Sequence, residues 1–220
     1  KRQAKGRRGN KKATTSPGEK SQLRAVLGSC NWVQRETRPD ASALTSLCMS
    51  RINESTVQDL VDANECVKVL KQNPHLGIAI PHIAPKELRW ATIQDASWAN
   101  AKEDKSQGAL LAGATTQDLW ENKAAPFALI SHRSHALPRK VPSTLSAEAQ
   151  SMSEALAEVE WLRGMYEEMI NPYFDIVNWA SKTRHRGLLV AGRSKDPDRK
   201  LQQLLTISDC LLYTSPSPRD

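Results

Sequence analysis

The sequence predicts a mixed α/β fold in which three short antiparallel strands, a long helix and a parallel fourth strand follow a small helical region. Three observations support this prediction. Short apolar runs separated by polar loops lie at 88–95, 108–113 and 127–131, apolar residues recur every three or four positions over 145–169, and a last apolar run lies at 204–209. A strand that follows a long crossover helix is most easily placed parallel to the sheet.

The region before the strands has a helical pattern. It covers residues 23–76 and is interrupted at 38–40 and 73–74, where proline disfavours helix. An apolar face within it predicts one helix over residues 56–71. This part of the chain therefore forms a small helical unit.

The two ends of the chain differ from the rest in composition. Residues 1–12 carry seven Lys or Arg and no acid, so the net charge of +7 resides in this basic segment. We expect residues 1–22 to be a disordered arm and linker, with Arg7 and Arg8 available to nucleic-acid phosphates; a solvated interdomain linker explains the composition equally well. The first residue is not Met, which suggests an internal fragment, and residues 211–220 (LLYTSPSPRD) resemble a translated adapter and are predicted to be a non-native tail.

The cysteines and the hydropathy pattern limit the protein class. Cys30, Cys48, Cys66 and Cys210 form no CxxC pair and no cluster with zinc-ligand spacing, so we expect reduced thiols rather than a structural zinc site. No run approaches the roughly 18 to 20 apolar residues that span a bilayer, and no signal peptide is apparent. We therefore expect a cytoplasmic or nuclear protein that is neither secreted nor in a membrane.

Three acids lie where apolar residues are expected. Asp95 and Asp209 end apolar runs, and Glu148 occupies the apolar stripe of the long helix, which consists of Leu145, Glu148, Met152, Leu156, Val159, Leu162 and Met169. Because a buried charge is costly unless it is paired or coordinated, such acids commonly hold metal ions. For Asp95 alone, the simpler interpretation is a solvated strand end.

The predicted topology brings these acids together. If the fourth strand lies parallel to the first, Asp95 and Asp209 are neighbours, and the helix packed across them directs Glu148 to the same place. Mg²⁺ prefers carboxylates, waters and phosphate oxygens as ligands, and a pair of such ions promotes phosphodiester hydrolysis. The arrangement predicts a nuclease site with two Mg²⁺ ions, or Mn²⁺ in their place. Integrase-like enzymes also use three acids, but their helix acid comes last in the sequence. Here the helix acid is second, and this order argues against an integrase.

Several motifs resemble those of a known protein family. TRPD at 37–40 resembles the family's TRPDI pattern, and IQDASWA at 93–99 resembles YSDADWAG. SAEAQ at 146–150 with EWLR at 160–163 resembles the STEAEY helix that ends in WLR, and ISD at 207–209 resembles the strand of the third carboxylate. Weaker similarities are LRAVLGS at 23–29, CVKVLK at 66–71 and HLG at 75–77. Together these motifs resemble the ribonuclease H region of copia-type retrotransposon polyproteins, preceded by the tail of the reverse transcriptase.

The resemblance implies a domain organisation and an activity. Residues 23–85 would be the reverse transcriptase tail and 86–210 a ribonuclease H-like domain, with Asp95, Glu148 and Asp209 as catalytic metal ligands. The domain would cut RNA in an RNA:DNA hybrid with water as nucleophile. Its partners would be the hybrid and the reverse transcriptase portion of the same polyprotein, in a cytoplasmic virus-like particle or the nucleus.

A basic cluster precedes the long helix. We expect Arg133, Arg139 and Lys140 to contact phosphates of the hybrid, although a solvated basic loop explains them equally well.

The sequence also departs from the family pattern. Asn100 replaces a glycine and Ser146 a glutamate, the stretch 170–203 is predicted to be a surface insertion, and no later segment supplies the fourth Asp. The alternative function is therefore a catalytically inactive remnant that only binds nucleic acid. A helical interaction module without chemistry fits residues 23–80 alone and leaves the three acids unexplained.

Overall fold

The chain divides into two compact units. The computed structural model describes residues 9–121, 123–179 and 204–208. The first unit contains the described residues up to Ile78 together with Ser97–Ala109 and Arg133–Ala147, and the second contains the remainder.

Three helices form most of the first unit. Helix α1 spans Pro17–Glu36, helix α2 spans Ser42–Ser50 and helix α3 spans Val57–Gln72. The predicted helix over 56–71 is confirmed to within one residue at each end, and the predicted interruptions lie between α1 and α2 and directly after α3. The helices bury a common apolar core, made of Leu23, Leu27, Cys30, Cys48, Ala63 and Cys66.

The segment before α1 is more ordered than its composition predicts. Residues 13–22 are expected to be a linker, but α1 begins at Pro17, because Ser16 and Glu19 form a capping box around its first turn. Thr14 forms an isolated antiparallel bridge with Thr56, and the Ala13 carbonyl accepts a hydrogen bond from the Val57 amide at 2.9 Å. The segment is therefore fixed to the start of α3 by main-chain hydrogen bonds.

Arg38 holds the end of α3. Its guanidinium is 4% exposed and donates two 2.8 Å hydrogen bonds to the two carboxylate oxygens of Asp40. The same group donates to the terminal carbonyls of α3, at 3.2, 3.0 and 2.8 Å from the oxygens of Val69, Leu70 and Asn73. The Arg38 hydrogen bond lowers the pKa of Asp40. Asp40 thus holds the Arg38 guanidinium in a bidentate ion pair, and the guanidinium donates to carbonyls that a helix end otherwise leaves unpaired.

The strands form one mixed sheet. Strand β1 spans Arg89–Ser97, β2 spans Gln107–Thr115, β3 spans Ala128–Ala136 and β4 spans Leu204–Ser208. Their order is β3-β2-β1-β4, with β1 to β3 antiparallel. Strand β4 runs parallel to β1, in a register that extends from Trp90 opposite Leu204 to Gln94 opposite Ser208. The three antiparallel strands and the parallel fourth strand agree with the prediction.

Helix α4 spans Thr144–Ile170 and packs on the sheet. Its buried stripe is shorter than predicted. Ser151, Ala155 and Val159 are buried, whereas the ends of the predicted stripe, Leu145 and Met169, are 61% and 80% exposed. Ser151 and Ala155, near the centre of this stripe, have small side chains, so the helix can lie close to the strands. The core of the second unit consists of Trp90, Leu110, Ala112, Ala155, Val159 and Leu162.

The chain after α4 returns to this helix. The Trp179 ring lies 5.7 Å from the Arg163 guanidinium, and a Cβ on Gly164 would lie 3.2 Å from the same ring. The first residues of the predicted insertion at 170–203 therefore pack on α4, and residues 180–203 lie outside the described part. Across the described helices, none is both long and apolar enough to cross a membrane.

We predict that Gly113→Ala destabilises the fold by about 1 to 3 kcal/mol, which is the usual cost of overpacking. A Cβ at Gly113 in β2 would overlap the Ala128 carbonyl oxygen, so the backbone of β3 would have to shift. Urea unfolding measures the change.

Gly28→Ala is the matched control, because a Cβ at Gly28 in α1 meets nothing within 4 Å. This substitution should stabilise the protein by about 0.5 to 1 kcal/mol through helix propensity. Equal effects of the two substitutions would refute the close approach at Gly113.

Candidate metal centre

The candidate site lies at the end of β1. Side chains alternate between buried and exposed over residues 92–97, so Gln94 and Ala96 face the interior while Asp95 faces solvent. The predicted strand ended at Asp95, but β1 continues for two more residues to Ser97. Asp95 is therefore held on regular backbone rather than in a flexible loop.

Glu148 lies in the second turn of α4 and is buried at 3% exposure, as the helix pattern predicts. Its Oε1 accepts a hydrogen bond from the Ala96 amide at 3.2 Å. Asp95 Oδ1 accepts from the same amide at 2.9 Å. A single N–H group therefore brings the carboxylates of Asp95 and Glu148 together.

The helix is also tied to the strand next to this amide. Ser151, one turn after Glu148, donates its hydroxyl to the Asp95 carbonyl at 3.2 Å. Gln94, which is 1% exposed, forms a side-chain hydrogen bond with Glu148. These two polar residues fix the positions of the acids. Neither role was predicted from the sequence, although Gln94 is a polar residue at a buried strand position and Ser151 shares the helix face of Glu148.

The site is electrostatically strained. Burial raises the pKa of Glu148, and the nearby Asp95 charge raises it further, while hydrogen bonds from the Ala96 amide and Gln94 oppose the shift. Two carboxylates in one place thus compete for one amide donor. A cation between them would relieve both the repulsion and the desolvation.

One oxygen of the site has no hydrogen bond. Glu148 Oε2 is buried and finds no donor. A buried acceptor without a partner is uncommon and calls for an explanation. Mg²⁺ takes one or two carboxylates, with water and substrate oxygens as its remaining ligands. The donor set of Asp95 and Glu148, including this unpaired oxygen, therefore fits a hard divalent cation.

The remaining predicted residues are placed as follows. Asp209 lies outside the described residues; the residue before it, Ser208, pairs with Gln94, the residue before Asp95. Within the described part of the chain, no group of three or more His, Cys, Asp or Glu side chains is arranged to hold a metal ion, so the site there is a carboxylate pair.

The structure describes three of the five predicted phosphate-contacting residues. Arg133 lies on β3, Arg139 and Lys140 follow this strand, and all three are exposed members of the first unit, whereas Asp95 and Glu148 belong to the second. Lys140 Nζ lies 3.9 Å from a carboxylate oxygen of Asp104, a weak surface pair. Arg7 and Arg8 lie outside the described residues.

Comparisons with known proteins give no match. No protein-family model matches the chain, and neither a curated protein nor a solved structure matches it.

We predict that Glu148→Gln stabilises the protein at pH 7 when divalent cations are chelated. The raised pKa of Glu148 means that its ionised form destabilises the native state above the folded-state pKa. This penalty disappears as the pH falls below the ordinary value near 4.5, where both states are protonated. Urea unfolding between pH 7 and pH 4 should show the advantage of the variant shrinking as the pH falls.

Glu160→Gln is the control, since Glu160 is exposed on the same helix. It should change stability by less than about 0.5 kcal/mol throughout the range. A Glu148→Gln protein that is less stable than the wild type at pH 7 would refute the strained site.

Proposed function

We propose that this protein is a metal-dependent ribonuclease H that hydrolyses RNA in an RNA:DNA hybrid during reverse transcription of a copia-type retrotransposon. The observation that carries the proposal is the carboxylate pair of Asp95 and Glu148, one on the first strand and one on the helix that crosses it. Both acids are the ones that the motif resemblance identifies as catalytic.

The topology supports a ribonuclease H-like fold. Three antiparallel strands, a crossover helix and a fourth strand parallel to the first give the order β3-β2-β1-β4. We propose Asp209 as the third ligand, because it follows β4 in the sequence as Asp95 follows Gln94 in β1. The proposed site would thus combine Asp95 of β1, Glu148 of α4 and the acid that follows β4 in the sequence.

The residues of the chain have separate roles in this mechanism. Glu148, with one oxygen fixed by the Ala96 amide and the other unpaired, would hold a metal ion from the buried side. Asp95, on the solvent side, would hold the ions where a phosphodiester can reach them. Two Mg²⁺ ions, or Mn²⁺, would supply the activated water and stabilise the attacking and leaving oxygens.

The helical region would be the tail of the reverse transcriptase. Its most distinctive motif, TRPD, is used structurally, because Arg38 and Asp40 secure the end of α3. A structural role of this kind is what we expect of a segment that connects a polymerase to a nuclease. The motif would then take no part in the cleavage reaction.

We predict that Asp95→Asn and Glu148→Gln each lower Mg²⁺-dependent cleavage of an RNA:DNA hybrid by at least about a hundredfold, because each removes a metal ligand. Hybrid binding measured in EDTA should remain within about twofold, since the fold and the basic residues are unchanged. Calorimetric titration with Mn²⁺, without nucleic acid, should show loss of metal binding in the same variants.

The controls separate the two candidate functions. Glu160→Gln should cleave like the wild type, and duplex DNA should not be cut. Wild-type protein that binds the hybrid without cutting it would favour the inactive remnant, whereas cleavage by Asp95→Asn at the wild-type rate would refute the site.

We predict that Arg139→Ala and Lys140→Ala weaken hybrid binding by removing phosphate contacts. In the linear plot of log K against log salt, each lost contact should reduce the slope by about 0.9. Fluorescence anisotropy in the Asp95→Asn background measures binding without cleavage.

Lys68→Ala is the control for charge, because Lys68 lies on α3 and pairs with Glu65 at 3.1 Å. This variant should keep the wild-type slope. A slope that is unchanged in all three variants would show that the basic cluster is merely solvated.

A further inference from the structure

Two cysteines in the core of the first unit face each other. Cys48 on α2 and Cys66 on α3 are both 0% exposed, and their sulfur atoms lie 3.8 Å apart. The third cysteine of this core, Cys30 on α1, is also buried. The proposed nuclease chemistry uses none of these thiols.

We propose that Cys48 and Cys66 form an oxidisable dithiol that closes to an intramolecular disulfide on reaction with a peroxide. The sulfur atoms need to approach by about 1.8 Å from their 3.8 Å separation to reach bond length. The two cysteines lie on adjacent, packed helices, so small side-chain rotations and helix shifts can supply this movement. The inference does not depend on the proposed nuclease activity.

The two thiols are chemically unequal. A hydrogen bond from Cys66 lowers the pKa of Cys48, and the nearby Arg51 charge lowers it further, against the effects of burial and of Asp62. The same thiol contact, together with burial, raises the pKa of Cys66. Burial raises the pKa of Cys30 as well. Cys48 is therefore the more acidic of the two thiols, and we assign it as the nucleophile and Cys66 as the resolving thiol, because the thiolate is the nucleophilic form.

The reaction balances with a peroxide as oxidant. The Cys48 thiolate attacks one peroxide oxygen, the O–O bond breaks, and a sulfenic acid and one water form with uptake of a proton. Cys66 sulfur then attacks the Cys48 sulfur and displaces a second water, while its proton goes to the leaving oxygen. The dithiol loses two electrons and two protons, and hydrogen peroxide becomes two waters.

Cys48 itself is enclosed, but residues close to it in the sequence line a cavity. The cavity, in the same unit, has a volume of about 430 Å³, and its lining includes Leu47, Ser50 and Arg51, which lie on either side of Cys48 in the sequence. Arg51 also forms ion pairs with Asp59 and Asp62 of α3, each at 2.9 Å. Solvent therefore reaches residues next to Cys48, and local opening of α2 from α3 would complete the access.

The test oxidises the reduced full-length chain with hydrogen peroxide, blocks the remaining thiols with N-ethylmaleimide, and maps tryptic peptides without reduction. We expect a linked pair of peptides covering 36–51 and 52–68, with Cys30 alkylated. The disulfide closes a loop between positions 18 residues apart, and we expect it to raise the Tm by about 5 to 10 °C.

Matched variants identify the reacting pair. Cys48→Ser and Cys66→Ser should abolish the linkage and the Tm increase, while Cys30→Ser, a buried thiol in the same core, should keep both. Linkage through Cys30 or Cys210 would overturn the proposal, as would a sulfinic acid at Cys48 with Cys66 still alkylated. Oxidation seen only above the Tm would also overturn it; the wild-type peptide map decides this even if a variant fails to fold.

Discussion

The close approach of α4 to β1 is the constraint on which the candidate site depends. Ser151 and Ala155 are small enough to let the helix lie near the strand, so Glu148 and Ser151 can reach main-chain groups of Asp95 and Ala96. Burying the apolar cluster around Val159 contributes about 1.5 to 3 kcal/mol for each large side chain. Several such side chains outweigh the penalty of several kcal/mol for one buried carboxylate.

The packing of α4 therefore stabilises an arrangement that its own charges oppose. Two acids accept from one Ala96 amide, and one oxygen of Glu148 lacks a donor. Sites of this kind are less stable than an apolar equivalent would be, and functional sites commonly accept such a cost. The destabilisation follows from the buried position of Glu148 on the helix. A cation bound between the two carboxylates would turn their repulsion into a stabilising attraction to the ion.

Periodicity in the sequence was enough to locate the main elements. The run at 204–209 predicted a fourth strand parallel to β1, and the helix pattern placed Glu148 on a buried face; both are found. Local hydrogen bonding was less visible: the capping box at Ser16 moved the start of α1 into a predicted linker. Gln94 and Ser151 were missed because their partners come from another element, which composition and spacing do not reveal.

Arg38 shows how a recognisable motif can differ from a reactive one. TRPD is the most distinctive of the motifs singled out in the sequence, yet its guanidinium binds only Asp40 and carbonyls at the end of α3 among the described contacts. Its planar fork makes lysine a poor substitute, because an ammonium group cannot reproduce that geometry. A library screened for function would thus find Arg38 intolerant of change for architectural reasons, and sequence invariance there would report folding rather than catalysis.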